Sequence, residues 1–184
     1  MNTLKNIQQR NSARILIDPR PSNDELNEIY KAALRAPDHA WLRPTKFIQV
    51  MEDGLNKLSN IFKKVAIETK DNIPEEIMDK YKKAPFRAPL IIIVVSSYKD
   101  HPKVPDIEQK LSSGAAAQNI LLAADDLGYG AIWRTGIFAF NQNINKYLNL
   151  SDSDTVIGYL YIGTKEGKQK NIPNLEIKDF VTNI

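Results

Sequence analysis

The sequence predicts an α+β sandwich, and three observations carry that expectation. Helical and strand-like periodicities intermix along the chain without a regular βαβ succession. No G-x-G-x-x-G follows a strand, which argues against a dinucleotide-binding Rossmann domain. The run Ile91-Ile92-Ile93-Val94-Val95 lacks polar alternation, as expected of a strand covered on both faces and therefore central to its sheet. At 184 residues and 42% hydrophobic, the chain is long enough for one core and short for two, so residues 1–184 read as a single domain.

The elements follow in order. A short opening helix is expected from Thr3 to about Arg10, with Leu4 and Ile7 on one side. Ser22-Asn23-Asp24-Glu25 has the form of a capping box, and Leu26, Ile29, Tyr30 and Ala33 then recur at helical spacing until Pro37. Lys46 to Glu52 reads as a strand, and Leu55, Leu58, Phe62 and Val65 mark another amphipathic helix. A further short helix begins near Pro74, and the central strand lies between Pro89 and Ser97. From about Pro105 to Leu127 runs the longest helix, closed by Gly128 and Gly130. Its middle, Ser112 to Ala117, is almost without bulk, and a helical glycine costs about 1 kcal/mol against alanine. Gly114 therefore asks for a close neighbour, either a helix of the same chain or one of a partner subunit. Gly130 to Gly136 holds a short strand with Trp133, Asn141 to Leu148 a short helix, and Thr155 to Ile162 a strand, followed by a polar tail.

Composition excludes several functions. The formal charge of +3 is spread without a long basic block, so nucleic acid is not an expected partner and any bound anion should be small. With no cysteine there is no thiolate nucleophile and no thiolate metal site. Only His39 and His101 are available to a hydrolytic triad, no nucleophile elbow is present, and no metal-ligand spacing surrounds Asp38-His39. Asp125 and Asp126 sit near a helix end and read as a solvated face rather than an acid–base pair. Met1 to Arg10 is polar and lacks the apolar stretch of a secretion signal, and the longest apolar run, Leu90 to Val95, is too short to span a bilayer. The expected location is the cytoplasm, with no membrane partner.

Three segments could bind a ligand, and each has a plainer reading. Arg10, Ser12 and Arg14 fall within five residues and suit a phosphate, or they form a solvated basic stretch. Arg35 and His39 flank a proline-broken helix end. Either Arg35 answers the helix dipole while Asp38 caps the turn, or Arg35 and His39 face a planar ligand. Trp133 reads as core, while Arg134 and Thr135, beside Gly130 and Gly136, offer donors where a backbone can approach a ligand closely.

Together these segments resemble the nitroreductase family of flavoproteins over nearly the whole chain, and most of all its smallest bacterial members. The family's opening R-R-S-x-R appears as Arg10-Asn11-Ser12-Ala13-Arg14, with Asn11 where arginine is usual. That departure should weaken the grip without abolishing it. Its A-P-S/D turn, a following proline and an aromatic strand appear as Arg35-Ala36-Pro37-Asp38-His39, Pro44 and Phe47. Ala84 to Pro89, Ser113-Gly114 with Gln118-Asn119, Leu127 to Gly130, Trp133 to Gly136 and Val156 to Gly163 keep the family order.

The resemblance implies a three-layer sandwich, with a central mixed or antiparallel sheet flanked by helices. It also implies a homodimer with two FMN molecules at the subunit interface. By matched position, Arg10, Asn11, Ser12 and Arg14 would hold the FMN phosphate and ribityl end, joined by Arg134 and Thr135, with Trp133 bordering the flavin. Arg35 and His39 would come from the other subunit. The nicotinamide-contacting segment falls at Ala123, Ala124, Asp125, Asp126, Leu127 and Gly128. The implied activity is a ping-pong hydride transfer in which NADH or NADPH reduces the flavin and a nitroaromatic, quinone or similar small acceptor is then reduced in the same space. The flavin would carry the chemistry, so no catalytic side chain is implied. Alternatives on the same fold are reductive dehalogenation, flavin destruction, or flavin storage without useful turnover.

Overall fold

The computed structural model describes residues 2–184; Met1, part of the single-domain expectation and of the polar opening run, lies outside them. Among the described residues the helices are α1 (Thr3–Gln9), α2 (Asn23–Ala33), α3 (Asp53–Thr69), α4 (Glu75–Lys83), α5 (Asp106–Asp126), α6 (Ile137–Phe140) and α7 (Asn143–Tyr147). The strands are β1 (Leu16–Ile17), β2 (Thr45–Met51), β3 (Leu90–Ser97), β4 (Gly130–Arg134) and β5 (Asp154–Lys165). Short 3-10 turns occupy His39–Trp41, Ala84–Arg87 and Ile177–Asp179.

The isoleucine–valine run becomes the middle of β3, every residue of which is buried. β2 and β5 flank it, both antiparallel, with Ile48 opposite Ile93 on one side and Leu160 opposite Ile92 on the other. β4 pairs with β5, with Trp133 opposite Leu160, and β1 pairs with its end, where Leu16 lies opposite Lys165. All these ladders are antiparallel; a bridge between Ser12 and Ala131 is parallel. β5 thus runs three residues beyond its expected end, because Thr164 and Lys165 find a partner in β1. Two residues are too few for β1 to leave a periodic signal.

Alternation along β3 makes the sandwich. Ile91, Ile93 and Val95 enter one apolar cluster with Leu58, Phe62 and Val65 of α3, while Leu90, Ile92 and Val94 enter another with Leu26 and Ile29 of α2 and Ile120 of α5. The expected capping box is present: the Ser22 hydroxyl accepts from the Glu25 N–H, and the Glu25 carboxylate accepts from the Ser22 N–H at 2.8 Å. Ala116, Ala117 and Ala124 of α5 lie beneath the sheet. Among the described residues no other helix crowds Gly114; its nearest neighbour is the Trp133 ring, 3.9 Å from where a Cβ would stand.

The opening helix presents the side that carries Leu4 and Ile7 outward. Leu4 is 67% exposed and Ile7 50%, while Asn6 is buried and donates to the Leu122 carbonyl at 3.0 Å. A side-chain amide, rather than the apolar stripe, docks α1 against α5.

Candidate functional site

α1 ends at Arg10, whose backbone turns extended and whose N–H donates to the Asn6 carbonyl at 2.9 Å. The chain then runs beside β4: Ser12 bridges Ala131, and the Ala13 N–H donates to the Ala131 carbonyl at 3.2 Å. This brings the Arg10–Arg14 segment alongside the strand that carries Trp133 and Arg134. Asn11 is occupied locally, accepting from the Ser12 N–H at 2.9 Å and donating to the Lys170 carbonyl at 2.8 Å. Arg10 Nη1 is buried with no hydrogen-bond partner, and Arg14 is exposed.

Strand alternation separates Trp133 from Arg134. Trp133 packs in the α2–α5 cluster, donates from Nε1 to the Ile157 carbonyl at 3.2 Å, and lies on Gly158, where a Cβ would come within 2.1 Å of Nε1. Only glycine admits the indole there. Arg134 leaves the other face, with its guanidinium 5.6 Å from the centre of the Tyr161 ring and its Nε buried without a partner. Burial first, and then the charge of Arg87, pull the Arg134 pKa below the usual guanidinium value. Burial pushes the Tyr161 phenol up to about 12, with Arg134 and Arg87 acting in the opposite direction. Thr135 and Gly136 follow at the exposed end of β4, with Gly136 at φ 72°. Arg87, Arg134, Thr135 and Gly136 open onto a cavity of about 340 Å³ lined by Phe62, Phe138, Tyr159 and Tyr161.

Arg35 and His39 do not line that cavity. Arg35 follows α2 and lines a separate hollow with Pro37, Asp38, Trp41 and Arg43. Asp38 caps this turn, its carboxylate accepting from the Arg43 N–H at 2.7 Å. His39 Nδ1 stands 3.1 Å from Glu108 Oε2 of α5. Ala40, Trp41 and Arg43 all adopt positive φ, at 52°, 56° and 50°, a conformation that costs non-glycine residues of order 1 kcal/mol or more. This strained turn holds Trp41 outward, 79% exposed, with the Arg43 guanidinium 5.9 Å from its ring.

The segment Ala123 to Gly128 closes α5, with Ala124 buried and Leu127 and Gly128 exposed. Asp125 departs from the solvated reading. Its side chain is only 11% exposed, and it takes Lys165 Nζ at 2.6 Å, because the three extra residues of β5 carry that lysine over the end of α5.

The charge pairing is uneven. Helical carboxylates are taken by lysines, as in Lys57–Asp53 and Lys80–Glu76. Among the described residues, Arg20 is the arginine that contacts a carboxylate, at 3.4 Å from Glu52. Arg10, Arg14, Arg35, Arg87 and Arg134 are left for other anions. Arg87 had no role in the sequence reading; its place in Ala84-Pro85-Phe86-Arg87-Ala88-Pro89, directly before the central strand, was the available signal.

A profile of the nitroreductase family matches residues 7–164. An Escherichia coli K12 protein named "Putative NAD(P)H nitroreductase YdjA" is 34% identical over 177 residues, covering 95% of this chain and 96% of its own. A Haemophilus influenzae protein named "Putative NAD(P)H nitroreductase" is 34% identical over 184 residues, covering 99% of both chains. The crystal structure of a nitroreductase-like family protein from Bacillus cereus matches with a TM-score of 0.85 at 22% identity, covering 100% of this chain and 96% of that one. A nitroreductase with bound FMN from Bacteroides fragilis matches at 0.77 and 21% identity, covering 100% and 99%. A profile spanning most of the sequence and relatives aligned over nearly all of it lead to one conclusion: this chain belongs to the nitroreductase family.

Proposed function

We propose that two copies of this chain hold two FMN molecules at their interface and use NADH or NADPH to reduce nitroaromatic, quinone or similar small acceptors. The observation that carries this reading is the pair of buried, unpartnered guanidinium nitrogens, Arg10 Nη1 and Arg134 Nε, on segments joined by the Ser12–Ala131 bridge. A buried guanidinium nitrogen without an acceptor is costly, so this arrangement suits a bound anion. An FMN phosphate fits the donor set. Names and titles of relatives point the same way: the Bacteroides fragilis structure holds FMN, and the aligned bacterial proteins are named for NAD(P)H.

Arg10, Ser12 and Arg14 would surround the phosphate with charge-assisted bonds, each contributing about 1.5–3 kcal/mol. Asn11, whose side chain is tied to backbone, would serve the phosphate and ribityl end by its position rather than by a charge. Arg134 and Thr135 would complete the grip. Trp133, with its Nε1 already spent on Ile157, would border the flavin without bonding it. Arg35 and His39 of the partner subunit would close the site, consistent with their distance from the Arg134 cavity within one chain. When bound, the FMN supplies the two-electron redox chemistry that links the nicotinamide to the acceptor. The chain's part is to bind, orient and place positive charge near the ring. Ala123 to Gly128 would meet the nicotinamide.

The dimer is supported by apolar side chains left open on neighbouring elements: Leu4 and Ile7 of α1, Trp41, and Ile107 and Leu111 of α5. The test is an absorbance spectrum of the purified protein followed by anaerobic titration with each reduced nicotinamide. Flavin bands bleached by NADH or NADPH, then restored by a quinone, are expected; a colourless protein that takes up no added FMN would end the reading.

A further inference from the structure

We infer that Asn11 is a positioning residue that latches the C-terminal segment 166–170 along the Arg10–Arg14 segment, and that this latch slows the release of bound FMN. The inference rests on the function proposed above and says how position 11 serves the cofactor without a charge. β1 and β5 pair as Ile17 with Thr164 and Leu16 with Lys165. The chain after β5 goes on in the same register: the Ile15 carbonyl accepts from the Glu166 N–H at 3.3 Å, and Asn11 Nδ2 donates to the Lys170 carbonyl at 2.8 Å. The Arg10–Arg14 segment is thereby a ribbon with two edges, one bonded to Ala131 of β4 and the other to the tail. Asn11 ties the two together, since its Oδ1 accepts at 2.9 Å from the N–H of Ser12, the residue that bridges Ala131.

Little holds this latch shut. Every residue from Glu166 to Ile184 is exposed, so burial does not fix the tail. Among the described residues, none after Lys170 hydrogen-bonds outside the tail, which makes the Asn11 bond its last attachment. Gly167 sits between the two bonds at φ 73°, a left-handed conformation that other residues adopt only with strain. A tail held by a few exposed bonds opens at small cost, and a ribbon freed along one edge presents Arg10, Ser12 and Arg14 less rigidly to a phosphate. Linkage runs both ways: if closing the tail tightens FMN, then FMN favours the closed tail by the same factor.

The experiment uses the FMN-loaded full-length protein and two variants that open the latch from opposite sides. Asn11→Ala removes the bond, and Gly167→Val strains the turn without altering the Arg10–Arg14 segment. Asn11→Ala should speed FMN release, followed as flavin fluorescence regained on dilution, by about three- to tenfold, the effect of one hydrogen bond. Gly167→Val should also speed it, and the double variant should be no faster than the quicker single one, because the latch opens only once. Hydrogen exchange in residues 166–170 of the wild type should slow when FMN is added, and the slowing should be much smaller in Asn11→Ala. A brace acting only within the Arg10–Arg14 segment would not move that readout. Wild-type release rates in both variants, or faster release in Asn11→Ala alone, would overturn the inference and leave the flavin reading standing. Wild-type protein that takes up no FMN would end both.

Discussion

Ser12 and Ala131 face each other across a parallel bridge, and the next residue along, Ala13, donates its N–H to the Ala131 carbonyl at 3.2 Å. More than a hundred residues of sequence separate the two segments. The bridge sets the arginines that follow α1 beside the strand that ends in Arg134; under the function proposed above, two pieces that are each unremarkable alone would serve one anion.

Arg10→Ala should weaken FMN binding by roughly tenfold to a hundredfold, the effect of one lost charge-assisted bond. Flavin-free protein should lose little or no stability, because the deleted side chain has an unsatisfied buried nitrogen and no ion pair to forfeit. Fluorescence titration with FMN and a thermal melt of the flavin-free variant check the two halves separately.

Two glycines should respond in opposite directions. Gly158→Ala would set a Cβ 2.1 Å from Trp133 Nε1 and should destabilise the protein by about 1–3 kcal/mol through overpacking. At Gly114 a Cβ meets only ordinary contact at 3.9 Å, so alanine should add about 0.5–1 kcal/mol in helix propensity. Urea denaturation midpoints at constant slope decide both.

Burial disfavours the charge on Asp154, but hydrogen bonds from Ser97 and Ser151, together with Lys46, outweigh it and leave the carboxyl pKa lowered. A lowered folded-state pKa contributes stability that is fully present above the ordinary carboxylate value of about 3.9 and is lost as pH falls through the folded value. Asp154→Asn should therefore destabilise the protein at pH 7, and the gap from wild type should close in acid below that range. A pH series of denaturant melts in which the gap stayed constant would refute this.

Leu111 on α5 is 65% exposed, so Leu111→Lys should cost the isolated chain almost nothing. At a subunit interface it would bury an unpaired charge. Sedimentation velocity should show a shift toward monomer, accompanied by loss of bound FMN; an unchanged profile with full flavin content would remove this face of α5 from the interface.

The layered core was legible because its signals are local. Ile91 to Val95 announced a central strand, and Ser22 to Glu25 announced the start of α2. The residues proposed to hold an anion stand in the sequence only as separate fragments, since nothing in Arg10 to Arg14 alone reveals a bridge to Ala131. What escaped depended on long-range pairing. β1 and the last residues of β5 exist because each supplies the other's hydrogen bonds, and that pairing carries Lys165 to Asp125, which looked solvated in sequence. The apolar stripe of α1 gave the helix correctly but not its facing, because the burial of Asn6 is decided by a carbonyl on α5. Arg87 was passed over because an arginine before a proline-bounded strand acquires meaning only with Arg134 across the cavity.

The most direct test of the central claim is an equilibrium titration of FMN into flavin-free protein, comparing wild type with Arg10→Ala. Saturation at one FMN per chain, with the variant weaker by about tenfold or more, is the predicted result. Equal affinity in the two proteins, or no saturable uptake by the wild type, would contradict the claim that the arginines beside β4 grip the cofactor's phosphate.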